Sequence, residues 1–332
     1  MRHKFSIMFL RSPLTKFISF CIIVSFIITL IIAALPVNLD SCNCENYLDT
    51  HNSIHEDVKR NKFYNAHLGS IDKPKLAILV PFRDRFDELL QFAPHLTDFL
   101  KKQQIPHHIF VLNQADRYRF NRASLINTGF LYTQHDFDYI AMHDVDLLPL
   151  NDQLNYSYVE HGSVFHVAAP DLHPKYGYPT FVGGILLVNR EDFRHVNGMS
   201  NRYWGWGLED DEFYVRLKEA SIKVRRPENV STGKADTFKH IHDKTHRRRD
   251  TTKCYNQREV TRKRDRETGL DTLKYEISSK NVVSIDDVTV TVLNIKLYCD
   301  KNLTPWCDCE GAPPQDQKST AKRKARSSHN KN

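Results

Sequence analysis

Glu209, Asp210, Asp211 and Glu212 are four carboxylates in a row, directly after Trp204-Gly-Trp-Gly-Leu208. Like charges this close repel, so a fold keeps them together for solvation, for a cation or for proton transfer. Glycines let a backbone bend and approach a ligand, and a tryptophan face suits a sugar ring. The plainer reading is that the acids open a helix running to about Ala220, on its positive end. Both readings hold together, because an acidic cap needs no Trp-Gly-Trp-Gly before it.

Two further sets carry chemistry. Asp144-Val-Asp146 is a carboxylate pair after an apolar run, and such a pair suits a divalent cation that bridges phosphates. His240-Ile-His242 on a strand would point both imidazoles to one side. Asp146, His240 and His242 together make a mixed carboxylate–imidazole set that manganese accepts; otherwise the histidines are simply exposed. Pro81-Phe-Arg-Asp-Arg85 adds two guanidiniums, and Asn113–Arg122 adds more polar residues, suited to phosphates. There is no P-loop and no G-x-G-x-x-G, so a phosphate would be held by side chains and metal.

These sets follow a sequence of short elements. Leu76–Val80 reads as a buried strand stopped by Pro81, and Phe86–Gln103 as a helix that Pro94 kinks or splits. His108–Leu112 reads as a second strand, Arg122 to about Thr133 as a helix, and Tyr139–Met142 as a third strand. This alternation predicts an α/β fold with a parallel sheet, where ligands bind beyond the carboxyl ends of the strands. Phe181–Val188 reads as a further strand, with Gly183 and Gly184 marking a close approach or a bulge. Asp243–Arg266 is either a solvated charged segment or a mobile lid, and strand alternation returns at Val288–Leu293.

The 332 residues carry a net charge of +7, unevenly placed. Residues 1–16 contribute +4 and 310–332 another +4, which leaves the middle near −1. A nucleic-acid partner is therefore excluded for the body. Phe17–Leu35 is a charge-free apolar run long enough for a bilayer, preceded by the basic cluster. It is longer than the core of a cleaved signal peptide, so it predicts a transmembrane signal anchor at 17–36, a cytosolic tail at 1–16 and a type II protein. Residues 37–72 read as a stem, 73–309 as the lumenal body, and 310–332 as a basic disordered tail.

Of seven cysteines, Cys254, Cys299, Cys307 and Cys309 lie late in the body. Four cysteines allow three pairings. The short Cys299–Cys307 spacing suggests a stapled loop, leaving Cys254–Cys309 as a longer tie; no spacing fits a usual zinc pattern. Asn155, Asn229 and Asn302 head glycosylation triplets.

Pro81–Arg85, Phe120-Asn-Arg-Ala123, Asp144-Val-Asp146, Val182-Gly-Gly184, Gly205–Asp211 and His240-Ile-His242 resemble, in order, the motifs of the β-1,4-galactosyltransferases. The resemblance covers about residues 75–309. His240-Ile-His242, Asn197–Asn201 and Cys299…Thr304-Pro-Trp-Cys307 resemble the branch of that family acting on xylosylated proteins. It implies a GT-A fold with a Rossmann-like, mostly parallel sheet flanked by helices, UDP-galactose as donor, Mn2+ as cofactor and inversion at the sugar carbon. The implied acceptor is β-xylose on a proteoglycan core protein at the Golgi membrane.

By motif, Asp146, His240 and His242 would bind manganese, and Asp144 the donor. Pro81, Arg83, Arg85, Phe120 and Arg122 would hold the nucleotide side. Asp210 resembles the catalytic base, with Glu209 and Asp211 placing the acceptor. Trp206 would close over the donor, and Tyr176, Tyr178, Trp206 and Leu208 would wall the xylose. Asp84 and Phe181 depart from the family, standing where asparagine and tyrosine are common. The alternatives are an enzyme of the same fold acting on N-acetylglucosamine and a non-catalytic sugar-binding protein.

Overall fold

The computed structural model describes residues 17, 20–27, 73–242 and 248–312. The chain divides into two compact units, Met1–Ala66 and His67–Asn332. In the first, residues 20–27 are helical and exposed. No helix among the described residues is long and apolar enough to cross a membrane. Most of the expected anchor at 17–36, the segments 1–16 and 37–72, and the tail from Pro313 lie outside the described residues.

The second unit is built on an eight-stranded sheet. Strand β1 (Leu76–Phe82) lies between β2 (His107–Gln114) and β3 (Tyr139–His143), both parallel to it. Its residues alternate between two cores. Leu76, Ile78 and Val80 pack with Phe92, Leu96 and Leu100 of helix α1 (Phe86–Lys102). Ala77 and Leu79 pack with Leu125, Ile126 and Phe130 of helix α2 (Arg122–Thr133). A strand buried on both faces has no polar side, which is why it reads as one apolar run.

The expected strand stop at Pro81 and the expected split of the helix at Pro94 are corrected. Strand β1 does not stop before Pro81 but runs through it to Phe82. Its pairing with β3 ends at Leu79, so the missing N–H falls beyond that ladder. Helix α1 runs unbroken through Pro94; the carbonyl that loses its donor belongs to Leu90, which is exposed and can be hydrated.

The expected mostly parallel sheet is mixed. After the short β4 (Leu147–Pro149), strands β5 (Ser163–His166) and β6 (Ile185–Asn189) join it antiparallel to each other, and β6 pairs antiparallel with β3. The expected strand at Phe181–Val188 begins only at Ile185, because Gly184 adopts φ 76° and Phe181 N–H closes a turn onto Tyr178. Helix α3 (Arg190–His195) follows, and helix α4 (Glu209–Glu219) leads to β7 (Lys223–Arg225), parallel to β5. Strand β8 (Phe238–His240) pairs with β4 outside the main sheet. After the short α5 (Gln257–Val260), the hairpin of β9 (Tyr275–Ile285) and β10 (Val288–Leu297) closes the other edge, with β10 parallel to β2. Only β10 was legible from alternation, because β9 is exposed along nearly its whole length.

Disulfides join Cys254 to Cys309 and Cys299 to Cys307, the pairing the spacing suggested. Asn155, Asn229 and Asn302 are exposed. The Cys254–Cys309 bridge spans 55 residues. Replacing both cysteines by serine is expected to lower stability by about 2–4 kcal/mol, read as a shift in the denaturant midpoint.

Candidate active site

The site forms where the carboxyl end of β3 meets the chain entering β6. His143 pairs with Ile185 across these antiparallel strands, and Asp144 N–H donates to Gly184 O at 2.9 Å. The Asp144–Asp146 segment therefore lies beside the glycine pair. Helix α2 starts close by. Asn121 caps it by accepting from Ser124 N–H, which fixes Arg122 at its first position.

Arg122 is the centre of the charge arrangement. Its Nε donates to Asp144 at 2.9 Å and its Nη1 to Asp210 at 2.8 Å. Burial would lower its pKa, but Asp144, Asp210 and Glu209 outweigh burial and raise it, so the guanidinium stays charged. Burial pushes the Asp210 carboxyl up to about 7 against the pull of Arg122, helped by its acidic neighbours Glu209, Asp144 and Asp211. The other carboxylate oxygen of Asp210 lies over Gly183, where an added Cβ would come within 2.3 Å of it. Both glycines serve close approach: Asp210 and the Phe181 ring come up against Gly183, and Leu147, Ala168 and His173 against Gly184.

The acidic run divides its work. Glu209 is raised mainly by burial, and its Oε2 is buried with no hydrogen-bond partner among the described residues. Asp211 hydrogen-bonds Tyr178, which limits the rise that burial gives it. Glu212 turns into the core, where both its oxygens accept from Arg216 at 2.9–3.0 Å and one also accepts from Arg264. The helix-cap reading also holds, since all four acids occupy the first turn of α4. Leu208 precedes them with φ 80°, a left-handed conformation costly for leucine and typical of sites where function fixes the backbone.

An apolar wall flanks these carboxylates. Tyr178, Trp206 and Leu208 are each about two-fifths exposed, an unusual grouping of large apolar side chains in water. Tyr176 lies 6.4 Å from Trp206, ring to ring. Phe181 is buried behind them, within 5.1–5.4 Å of His173, Tyr176 and Tyr178. It positions the two tyrosines by packing, with no hydroxyl needed.

The metal candidates converge from two elements. Ile241 N–H donates to Asp146 O at 2.9 Å, which aligns β8 with the Asp144–Asp146 segment. His242 Nδ1 lies 3.1 Å from Asp146 Oδ2, and His240 Nε2 lies 3.9 Å from the same oxygen. Arg85 Nη1 stands 2.7 Å from His242 Nδ1 and 3.9 Å from Asp146. A guanidinium only donates, so that imidazole nitrogen is an acceptor facing a carboxylate oxygen. Burial keeps both histidines below their usual pKa, and neutral imidazole is the metal-binding form. Among the described residues no three carboxylate, imidazole or thiolate groups form a ready-made cage. Both histidines nonetheless gather at one oxygen of Asp146, with the Arg85 cation beside Asp146 and His242, and the chemistry of the three donors fits manganese.

The remaining sequence candidates are placed as follows. Arg83 donates to the carbonyls of Gln114, Asp116 and Tyr118 and lies 5.9 Å from the Phe120 ring, so it shapes the turn that presents Phe120. Pro81 ends the buried part of β1 behind them. Asp84 adopts φ 52°, a conformation aspartate tolerates nearly as well as asparagine.

Sequence reasoning missed two arginines. Arg249 donates to Tyr176 Oη at 2.6 Å and lies over the Trp206 ring at 5.2 Å. Arg119 binds Asp250 at 2.6 Å and also donates to Gln257, Thr252 O and Trp306 O. Both belong to charged stretches in which nothing distinguishes them from solvated neighbours. The only trace of Arg119 is Gly205, whose missing side chain makes room for its guanidinium.

This architecture has known counterparts. Residues 35–158 match the family described as the N-terminal region of glycosyl transferase group 7, and residues 163–242 match one described as the N-terminal domain of galactosyltransferase. The chain is 65% identical over 237 residues to β-1,4-galactosyltransferase 7 of Drosophila melanogaster, covering 71% of this chain and 74% of that protein. It is 45% identical over 236 residues to the xylosylprotein 4-beta-galactosyltransferase of Caenorhabditis elegans, covering 70% and 82%. A crystal structure of a Drosophila β-1,4-galactosyltransferase 7 mutant in complex with manganese, UDP-Gal and xylobiose superposes with a TM-score of 0.70 at 64% identity, covering 71% of this chain and 99% of that one. The chain is a member of the β-1,4-galactosyltransferase family.

Proposed function

We propose that this protein transfers galactose from UDP-galactose to O4 of a β-xylose carried on a protein, with Mn2+ as cofactor. The observation that carries the reading is Asp210. It sits against Gly183, is held by Arg122 and faces an exposed aromatic wall, with a pKa near neutrality. The relatives named for this activity, and the solved complex containing manganese, UDP-Gal and xylobiose, support it.

In this reading the xylose ring stacks within Tyr176, Tyr178, Trp206 and Leu208, and Asp211 and Glu209 accept its hydroxyls. Asp210 takes the proton of O4 as that oxygen bonds to C1 of galactose; the bond from C1 to the diphosphate oxygen breaks, and its electron pair leaves with UDP. A base with a pKa near 7 is half-ionised at neutral pH and strong enough to accept the proton during attack. Asp146, His240 and His242 would hold Mn2+, which supplies positive charge against the diphosphate when bound. Arg122 and Asp144 orient the donor sugar beside the base. Arg83, Arg85 and Phe120 border the nucleotide side. The wall excludes water, which would otherwise hydrolyse the donor.

The biological setting belongs to the same proposal. Residues 17–36 anchor a type II protein in the Golgi membrane, and the lumenal body serves glycosaminoglycan attachment on proteoglycan core proteins. Two disulfides in the body suit an oxidising compartment, and the exposed Asn155, Asn229 and Asn302 are open to glycosylation there.

The central test is galactose transfer from UDP-galactose to a β-xyloside by the full chain. Transfer is expected to require Mn2+ and to fall at least about 100-fold in kcat in Asp210→Asn. Transfer to N-acetylglucosamine but not to xylosides would overturn the acceptor, and inactivity on both would overturn the reaction. The raised pKa of Asp210 fixes the sign of the pH dependence. Its neutral form dominates below about 7, so kcat/KM should fall as pH drops through that value and level off above it. A profile flat from pH 5 to 8 would remove Asp210 as the base. Gly183→Ala is expected to displace the Asp210 carboxylate and the Phe181 ring and to lower kcat by about 100-fold, read in the same transfer assay.

A further inference from the structure

A cavity of about 310 Å³ opens beside the acceptor wall, lined among others by Pro179, Tyr214, Lys218, Val224 and Arg226. Two of the elements that line it also carry residues of the candidate active site. Pro179 directly follows Tyr178, the partner of Asp211. On helix α4, Asp211, Tyr214 and Lys218 are spaced three and four residues apart, so they form one stripe leading from the acceptor carboxylates into the cavity. Over those seven residues the helix rises roughly 10 Å.

The chemistry of the lining changes along that path. The catalytic end is acidic, whereas the cavity end carries two cations, exposed Lys218 and half-buried Arg226. Arg226 Nη2 donates to Pro179 O at 2.5 Å, but its Nε is buried without a hydrogen-bond partner among the described residues. Tyr214, Val224 and Pro179 supply an apolar floor between them. A xylose hydroxyl has no need of such a lining. A carboxylate-bearing side chain on the polypeptide that carries the xylose does, since it brings a negative charge and an apolar stem.

We propose that this cavity is a subsite for the acceptor polypeptide, which takes an acidic residue near the xylosylated one through Lys218 and Arg226. The proposal rests on the xylosylprotein reading above. An extended chain advances about 3.3 Å per residue, so a span of roughly 10 Å places the acidic residue two to four positions from the sugar. Lys218 touches neither xylose nor donor in this arrangement and acts on peptide binding alone.

The test uses the full chain with Mn2+, UDP-galactose and three acceptors. These are a neutral β-xyloside, a xylosylated peptide with Asp or Glu two to four residues from the sugar, and the same peptide with Asn or Gln instead. The acidic peptide is expected to show a KM about fivefold below its amide counterpart at low salt, with equal kcat. Lys218→Gln should close that gap, as should 0.5 M NaCl, while kinetics on the neutral xyloside stay unchanged. Equal KM values for the two peptides in the unmutated protein would overturn the subsite. A Lys218→Gln defect of the same size on all three acceptors would also overturn it. Absence of transfer even to the neutral xyloside would instead overturn the underlying activity.

Discussion

Bringing Asp144, Glu209 and Asp210 together costs electrostatic energy that one guanidinium offsets. Arg122 donates to a carboxylate on each side, Asp144 from the end of β3 and Asp210 from the start of α4. Its side chain is only 12% exposed, so water screens these interactions weakly. Without that cation the acids would be mutually repelling and partly desolvated, and they would separate or protonate. The balance is incomplete by design of the sequence. Arg122 keeps Asp144 and Asp210 in place, while burial and the surplus of acid still hold Asp210 near neutrality.

The sheet explains why these groups meet. A purely parallel sheet would send the chain away from β3 through a helix and return it at the opposite edge. Here β6 runs antiparallel to β3, so the start of β6 coincides with the end of β3. Gly183 and Gly184 therefore lie beside Asp144, and the lack of a side chain on Gly183 leaves room for Asp210. Helix α4 is held from behind by Arg216. That residue pairs with Glu212 and donates to the carbonyls of Gly198 and Thr268, which ties the helix to the loops on either side. The acidic run thus supplies the site with Glu209, Asp210 and Asp211 and anchors it with Glu212.

Much of this was legible in the sequence, for physical reasons. Buried parallel strands leave continuous apolar runs, so β1, β2 and β3 could be read, and the polar residues after each strand had to share one end of the sheet. The His-x-His pair was readable because strand geometry puts alternate residues on one side. Strand direction was not legible, since apolarity is the same in parallel and antiparallel neighbours, and the mixed sheet was missed for that reason. The exposed β9 carries little apolar signal and was also missed. Arg249 and Arg119 were hidden in charged surroundings, because their partners, Tyr176, Trp206 and Asp250, are distant in sequence and brought near only by folding.

Those two arginines bear on how the tryptophan loop is built. Gly205 N–H donates to Phe120 O, Trp206 N–H donates to Asp250 O, and Trp206 O accepts from Lys253. Trp204 O accepts from Gln257, which Arg119 also holds. The backbone of the loop is therefore bonded both to the turn before α2 and to residues 250–257. The indole of Trp206, by contrast, is about two-fifths exposed and, among the described residues, stacks beneath Arg249 and beside Tyr176. Displacing residues 204–206 without residues 250–257 would break three hydrogen bonds at once, each costly where buried. The two segments are accordingly coupled, with Arg119 bonded to the second and packed against Gly205 of the first, and with Arg249 covering the indole.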